Sequence, residues 1–140
     1  MRFLLLLCVV LCLVGNIIGM TRSQVKKTLQ IMKKQCISKI GVPEDKIANI
    51  EQGVFIEDRL VMCYIGCIYK TLQVVKNNKI DRDLAVKQIE ALYPPELRES
   101  TVKGMDKCLP IQAKYGDFCE AVFHGAKCLY EFDPPSFLFA

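Results

Sequence analysis

One histidine, His124, is all the imidazole that this chain of 140 residues possesses. The sequence holds no G-x-S-x-G elbow, no phosphate-binding P-loop and no H-E-x-x-H pair, so the common hydrolytic and nucleotide-dependent chemistries have no residues to work with. Cys63 and Cys67 are separated by three residues, but no second pair of cysteines or histidines follows at zinc-finger intervals. The acidic pairs Asp81/Asp83 and Glu57/Asp58 read as helix starts rather than acid–base machinery. No catalytic residue, metal ligand set or cofactor motif is expected. Dense basic blocks are missing too. Nineteen Lys and Arg face fifteen Asp and Glu, but the lysines are scattered, as in Lys26-Lys27, Lys33-Lys34, Lys70 and Lys87, with no interleaved aromatics. Nucleic acid is therefore an improbable partner, and solvated helix faces account for these charges.

Long apolar runs are absent after the first twenty residues. Before that point, Arg2 precedes an apolar stretch from Phe3 to Val14, and small residues follow at Gly15 and Gly19. This is the basic, apolar, small order of a secretory signal peptide. A membrane anchor would need about 20 consecutive apolar residues, and Asn16 and Thr21-Arg22-Ser23 interrupt it. Residues 1–19 are expected to be the leader, with cleavage after Gly19, or after Gly15 as second choice. Cys8 and Cys12 would leave with it, and the mature chain should not insert in a membrane. Residues 20–140 then form one domain, small enough to benefit from covalent staples.

Strand-like alternation is wanting as well, and helical periodicity fills the space. Val25, Leu29, Met32, Cys36 and Ile40 recur at three- and four-residue steps, which predicts a helix over 23–40, with Thr21 or Ser23 as N-cap and Gly41 as its end. Pro43, Glu44 and Asp45 suit the start of a short second helix to about Ile50. A third is expected over 57–75, broken by Asn77-Asn78, and a fourth from the cap Asp81 through Leu92. The fifth runs from Pro95 to Leu109 and stops at Pro110. The sixth covers 117–131. The fold class is all-α, with about six helices.

Six cysteines remain after the leader: Cys36, Cys63, Cys67, Cys108, Cys119 and Cys128, spaced C-x26-C-x3-C-x40-C-x10-C-x8-C. An even set behind a secretory leader reads as a disulfide framework. Cys63 and Cys67 project from one side of a helix, one turn apart, and suit two different partners better than each other. Cys119 and Cys128 lie on opposite sides of the sixth helix. Fifteen pairings exist, and spacing alone does not choose among them. The pattern, however, resembles that of the insect odorant-binding proteins, the carriers of pheromones and general odorants. The resemblance spans Cys36 to Cys128. It implies pairing of first with third, second with fifth and fourth with sixth: Cys36–Cys67, Cys63–Cys119 and Cys108–Cys128.

The resemblance also implies an internal apolar cavity for a small hydrophobic ligand, such as an odorant or pheromone, and at most an indirect relation to a membrane odorant receptor. Candidate ligand contacts are Met32, Leu60, Tyr64, Ile68, Leu84, Ile89, Met105, Leu109, Phe118, Val122 and Phe123, since methionines adapt in shape and aromatics give rigid walls. Tyr64, Tyr69 and Tyr130 are candidates to offer a hydroxyl. A cavity on the order of 300–1,000 Å³ is the expectation for such sites. The tail, residues 129–140, is unusually apolar for a free end. Phe132, Phe137, Leu138 and Phe139 mark it as a cover for the pocket, against packing elsewhere or serving a partner protein. With no disulfide pinning it, the tail is expected to be separable from the helical framework. Related carriers can release ligand on acidification, which makes His124 a candidate for such a switch, although a satisfied or solvated helical histidine is its plainer reading. Two other readings stand beside the olfactory carrier: the same carrier in a non-olfactory fluid, and a disulfide-rich secreted interaction protein without a small ligand.

Overall fold

The computed structural model describes residues 19–140, so the expected leader lies, apart from Gly19, outside the described residues. Within them the chain forms six α-helices and one short hairpin. These are α1 (Arg22–Ile40), α2 (Glu44–Ile47), α3 (Arg59–Thr71), β1 (Val75–Lys76), β2 (Lys79–Ile80), α4 (Arg82–Leu92), α5 (Pro95–Cys108) and α6 (Phe118–Phe132). Short 3-10 segments occupy Ile50–Gln52, Leu109–Lys114 and Pro134–Ser136.

Short polar side chains start four of these helices. Thr21 closes a capping box on α1: its Oγ1 accepts from the Gln24 N–H at 3.2 Å, and Gln24 Oε1 accepts from the Thr21 N–H at 2.8 Å. Asp58, Asp81 and Asp117 cap α3, α4 and α6 by accepting from the N–H groups of Leu60, Leu84 and Glu120. Gly41 ends α1 at φ 73°, a left-handed conformation that favours glycine.

The structure departs from the sequence expectations in three places. The second helix is a single turn, continued only by the 3-10 turn at Ile50–Gln52. The fifth ends at Cys108 and passes into the 3-10 turn that contains Pro110. The third stops at Thr71 rather than reaching Val75, because Gln73 swings to φ 58° and the chain turns back on itself. Asn77 and Asn78 then take φ 50° and 58°, the pair of positive values that a two-residue hairpin turn requires. Val75 pairs with Ile80 and Lys76 with Lys79 in antiparallel register. Gln112 extends the hairpin's bonding: its Oε1 accepts from the Ile80 N–H at 2.9 Å, and its Nε2 donates to the Ile80 carbonyl at 3.1 Å.

α3 is the central element, packed against α1 on one side and α6 on the other. Its stripe of Val61, Tyr64, Ile65 and Ile68 is wholly buried. The two helices α3 and α6 approach closely at Gly66, where a Cβ would stand 3.0 Å from the Phe118 ring. The disulfides are Cys36–Cys67, joining α1 to α3, Cys63–Cys119, joining α3 to α6, and Cys108–Cys128, joining α5 to α6. This is the pairing that the six-cysteine resemblance implied. No disulfide reaches α4; a two-pronged ion pair from Arg82 to Asp106, at 2.7 and 2.9 Å, ties it to α5.

Asp117 has two tasks at once. It caps α6 and takes two bonds from Arg59, at 2.6 and 2.8 Å. The Arg59 hydrogen bond first, and the Glu120 N–H second, push its pKa from 3.8 down to about 2. A depressed carboxylate stabilises the fold above its unfolded pKa and loses that contribution as pH falls through the folded one. Asp117→Asn keeps a capping oxygen but removes the charge. The variant is expected to melt below the parent at neutral pH, with a gap that holds down to about pH 4 and closes towards about pH 2. Thermal unfolding followed across that range checks this, and a gap independent of pH would contradict it.

Candidate functional site

The helices do not fill the space they enclose. Between α1, the end of α3, α4, α5, α6 and the tail lies a cavity of about 150 Å³ with an overwhelmingly apolar lining. Its walls combine large residues with small ones. Leu29 and Met32 come from α1, Ile68 and Leu72 from α3 and its end, Ile89 from α4, and Met105 from α5. Ala121, Gly125 and Ala126 on α6 leave the room, whereas the space beside Gly104 on α5 is taken by the Phe132 ring.

Nine of the fifteen proposed ligand contacts lie on this lining: Met32, Ile68, Ile89, Met105, Leu109, Val122, Phe137, Leu138 and Phe139. The other six do not. Leu60, Tyr64 and Ile68 share one helical stripe, but exposure along it falls from 39% at Leu60 to nil at the other two. The first turn of α3 therefore points Leu60 outward while Val61 beside it is buried. Tyr64 is core, and its hydroxyl donates to the Ala140 carbonyl at 2.9 Å. Phe123 is also wholly buried in the core, edge-on to Phe55 with centroids 5.8 Å apart. Phe118 packs on Gly66 beneath the Lys70 ammonium. Leu84 sits half-buried in the first turn of α4, and Phe132 is 37% exposed beside Gly104 and Lys107. Tyr130 lies against Gly53 and Phe137, off the lining. His124 stacks on Tyr115 at 4.4 Å and meets the Phe123 edge, also off the lining.

The tail forms one wall. After the 3-10 turn, Phe137, Leu138 and Phe139 are all buried. Arg22 donates to the Pro135 carbonyl at 2.7 Å, tying the tail to α1. Asp133 accepts from the Ser100 hydroxyl and, at 2.5 Å, from that of Ser136. Those two bonds, Ser100 first, hold its carboxyl below the usual carboxylate range. The inward packing explains why the cavity falls short of the expected 300–1,000 Å³: the tail occupies part of the space. It also corrects the expectation of a separable lid. Burying a Leu or Phe side chain is worth about 1.5–3 kcal/mol, so removing the tail takes stability with it.

Sequence reasoning missed Tyr93 and the small residues. Tyr69 and Tyr93 both line the cavity, and burial is the first cause that raises each phenol's pKa, that of Tyr93 to about 12. The remaining polar lining is largely committed. Thr28 and Thr101 donate to carbonyls one turn back, Gln112 serves Ile80, and Ser100, Ser136 and Asp133 bond one another. Among the lining residues there is no Lys, Arg or His. Such an arrangement can desolvate and hold a small neutral apolar molecule.

Comparison with known proteins places this geometry among relatives. The sequence model described as the PBP/GOBP family matches residues 19–132. General odorant-binding protein 72 of Anopheles gambiae is 25% identical over 121 residues, covering 86% of this chain and 99% of its own. General odorant-binding protein 19a of Drosophila melanogaster is 30% identical over 114 residues, 77% of each chain. Among solved structures, odorant binding protein 4 of Chrysopa pallens superposes with a TM-score of 0.77 at 35% identity, covering 86% of this chain and 99% of that one. Odorant binding protein 5 of Apis mellifera gives 0.72 at 31%, covering 87% and 99%.

Gly125 tests whether the space is what the small residues are for. A Cβ added there meets nothing within 4 Å, and glycine inside a helix costs about 1 kcal/mol relative to alanine. Gly125→Ala is expected to raise stability by about that amount. Gly125→Leu should fold, project into the cavity and abolish uptake of an apolar fluorescent dye. Retained uptake in a folded leucine variant would place the dye elsewhere.

Proposed function

The chain belongs to the PBP/GOBP family, and on that premise we propose that it is a secreted carrier that takes a small apolar molecule, such as an odorant or pheromone, into the cavity enclosed by α1, α3–α6 and the tail. The observation that carries this reading is the apolar space itself, about 150 Å³ in volume. A dry apolar cavity of about that size is enough to hold a benzene-sized molecule. The leader-like N-terminus and three disulfides support passage through an oxidising secretory route. Among the described residues, no helix is long and apolar enough to cross a membrane. Delivery to a membrane receptor, where it occurs, is a downstream step of this reading.

The energetics are modest. Burying about 300 Å² of apolar ligand surface gains roughly 7 kcal/mol before association costs. Affinities in the micromolar range or weaker follow. Nine lining residues are the proposed contacts: Met32, Ile68, Ile89, Met105, Leu109, Val122, Phe137, Leu138 and Phe139. Because the last three belong to a wall without a disulfide, ligand passes in and out as the tail lifts.

Two measurements test this. A fluorescent apolar dye should bind near one per chain and be displaced by volatile organic compounds; a folded protein that takes up none over micromolar concentrations would favour the interaction-protein reading. Arg22→Ala frees the tail at an exposed bond and should leave unfolding within a few degrees of the parent while speeding dye dissociation several-fold, since such changes fall mainly on the off-rate. Leu138→Ala should also speed dye dissociation, at a cost of about 2–5 kcal/mol in stability. Dissociation rates unchanged in both variants would remove the tail from the exit path.

A further inference from the structure

Once the committed groups are set aside, three polar side chains on the lining make no hydrogen bond to any described residue: Tyr69, Gln88 and Tyr93. Gln88 carries both a donor and an acceptor and sets no preference of its own. The two phenols are more informative. Tyr69 lies in the last turn of α3, and Tyr93 follows the end of α4, so they enter the cavity from different elements. Neither residue is fully buried, and no sealed side-chain nitrogen or oxygen lacks a partner among the described residues. Their hydroxyls therefore keep open surface. Burial is the first cause that raises both phenols' pKa, and Tyr93 lies near enough to Tyr69 to raise it further.

Resting on the carrier reading, we propose that Tyr69 and Tyr93 form a two-donor polar subsite that selects neutral ligands bearing a carbonyl-type oxygen: ketones, aldehydes or esters on an apolar body. A carbonyl oxygen has two lone pairs and can accept from both phenols, whereas a hydrocarbon leaves both donors unmet in a dry site, which is costly. Raised phenol pKa values keep both groups protonated, and so donating, at neutral pH. A carboxylate ligand is disfavoured: no Lys, Arg or His lines the cavity to offset its desolvation. A cationic amine fares no better, because the one lining carboxylate, Asp133, already serves Ser100 and Ser136.

The test uses a six-carbon methyl ketone, hexane and hexanoate, each displacing the apolar dye from the full mature chain. Tyr69→Phe and Tyr93→Phe should each weaken ketone binding about fivefold, the equivalent of one neutral hydrogen bond, and hexane binding should hold or tighten. Hexanoate should bind more weakly than the ketone to the parent. Independently of any variant, the carbonyl stretch of the isotopically labelled ketone, bound to the parent, should lie below its position in a hydrocarbon solvent. Ketone affinity unmoved by either substitution, or a carbonyl stretch at its hydrocarbon position, overturns the subsite while leaving the carrier reading intact if hexane still displaces the dye. A parent protein that binds neither dye nor hexane overturns both.

Discussion

Cys63 and Cys67 stand one turn apart on α3 and bond in two directions, to Cys119 on α6 and to Cys36 on α1. The remaining architecture hangs on this double attachment. It fixes the central helix between its two neighbours at the level where its stripe of Val61, Tyr64, Ile65 and Ile68 is wholly buried. The third disulfide sets α5 against α6, and the cavity lies on the side of the molecule where those two helices face α4 and the tail. Magnitudes make the arrangement intelligible. An unfilled volume of about 150 Å³, at roughly 24 cal/mol per Å³, costs about 3–4 kcal/mol. Each disulfide contributes typically 2–4 kcal/mol. One or two staples offset the hollow, and the three together leave a margin that the small core alone would not supply.

The tail is best understood as part of the packing rather than an appendage. Pro134 and Pro135 end α6 and turn the chain inward, and the 3-10 turn there delivers Phe137, Leu138 and Phe139 to buried positions. Phe137 and Phe139 lie parallel with centroids 5.8 Å apart, and Phe139 meets Tyr64 and Tyr69 edge-on. Apolar burial holds the segment as firmly as a loop can be held, while its polar ties to Arg22, Ser100 and the Tyr64 hydroxyl are few and near its ends. A wall built in this way opens locally at less cost than a disulfide-linked helix.

The helices were legible in the sequence because their punctuation is chemically unambiguous. Thr21, Asp58, Asp81 and Asp117 are strong caps, Gly41 is a left-handed stop, and Pro95 is a natural first residue. The hairpin was not legible: its strands are two residues each, too short for alternation to register, and only Asn77-Asn78 hints at the turn. The cysteines gave the connectivity through resemblance, since spacing leaves fifteen pairings open. The site was half legible for a physical reason. Large apolar residues attract attention as ligand contacts, yet Tyr64 and Phe123 do the work of a core and have no surface left to offer. A hollow is made as much by residues that fail to fill it, and Ala121, Gly125 and Ala126 carry no hydrophobic signal strong enough to be noticed.

What the cavity lacks decides as much as what it has. All seven ion pairs found among the described residues involve groups on the outer faces or at helix ends, from Lys26–Glu51 to Lys103–Glu99, and none of their members lines the hollow. The basic surplus of the whole chain therefore acts on solvent and on whatever the outer surface meets, while the one carboxylate on the lining, Asp133, is tied to Ser100 and Ser136. A ligand entering such a space sheds its water and meets carbon almost everywhere. Charge would be penalised heavily there, and a bare hydrocarbon would be accepted without discrimination. Discrimination has to come from the few polar groups left unspent, and because most hydroxyls and amides on the lining already answer to the backbone or to Asp133, the two phenols inherit it.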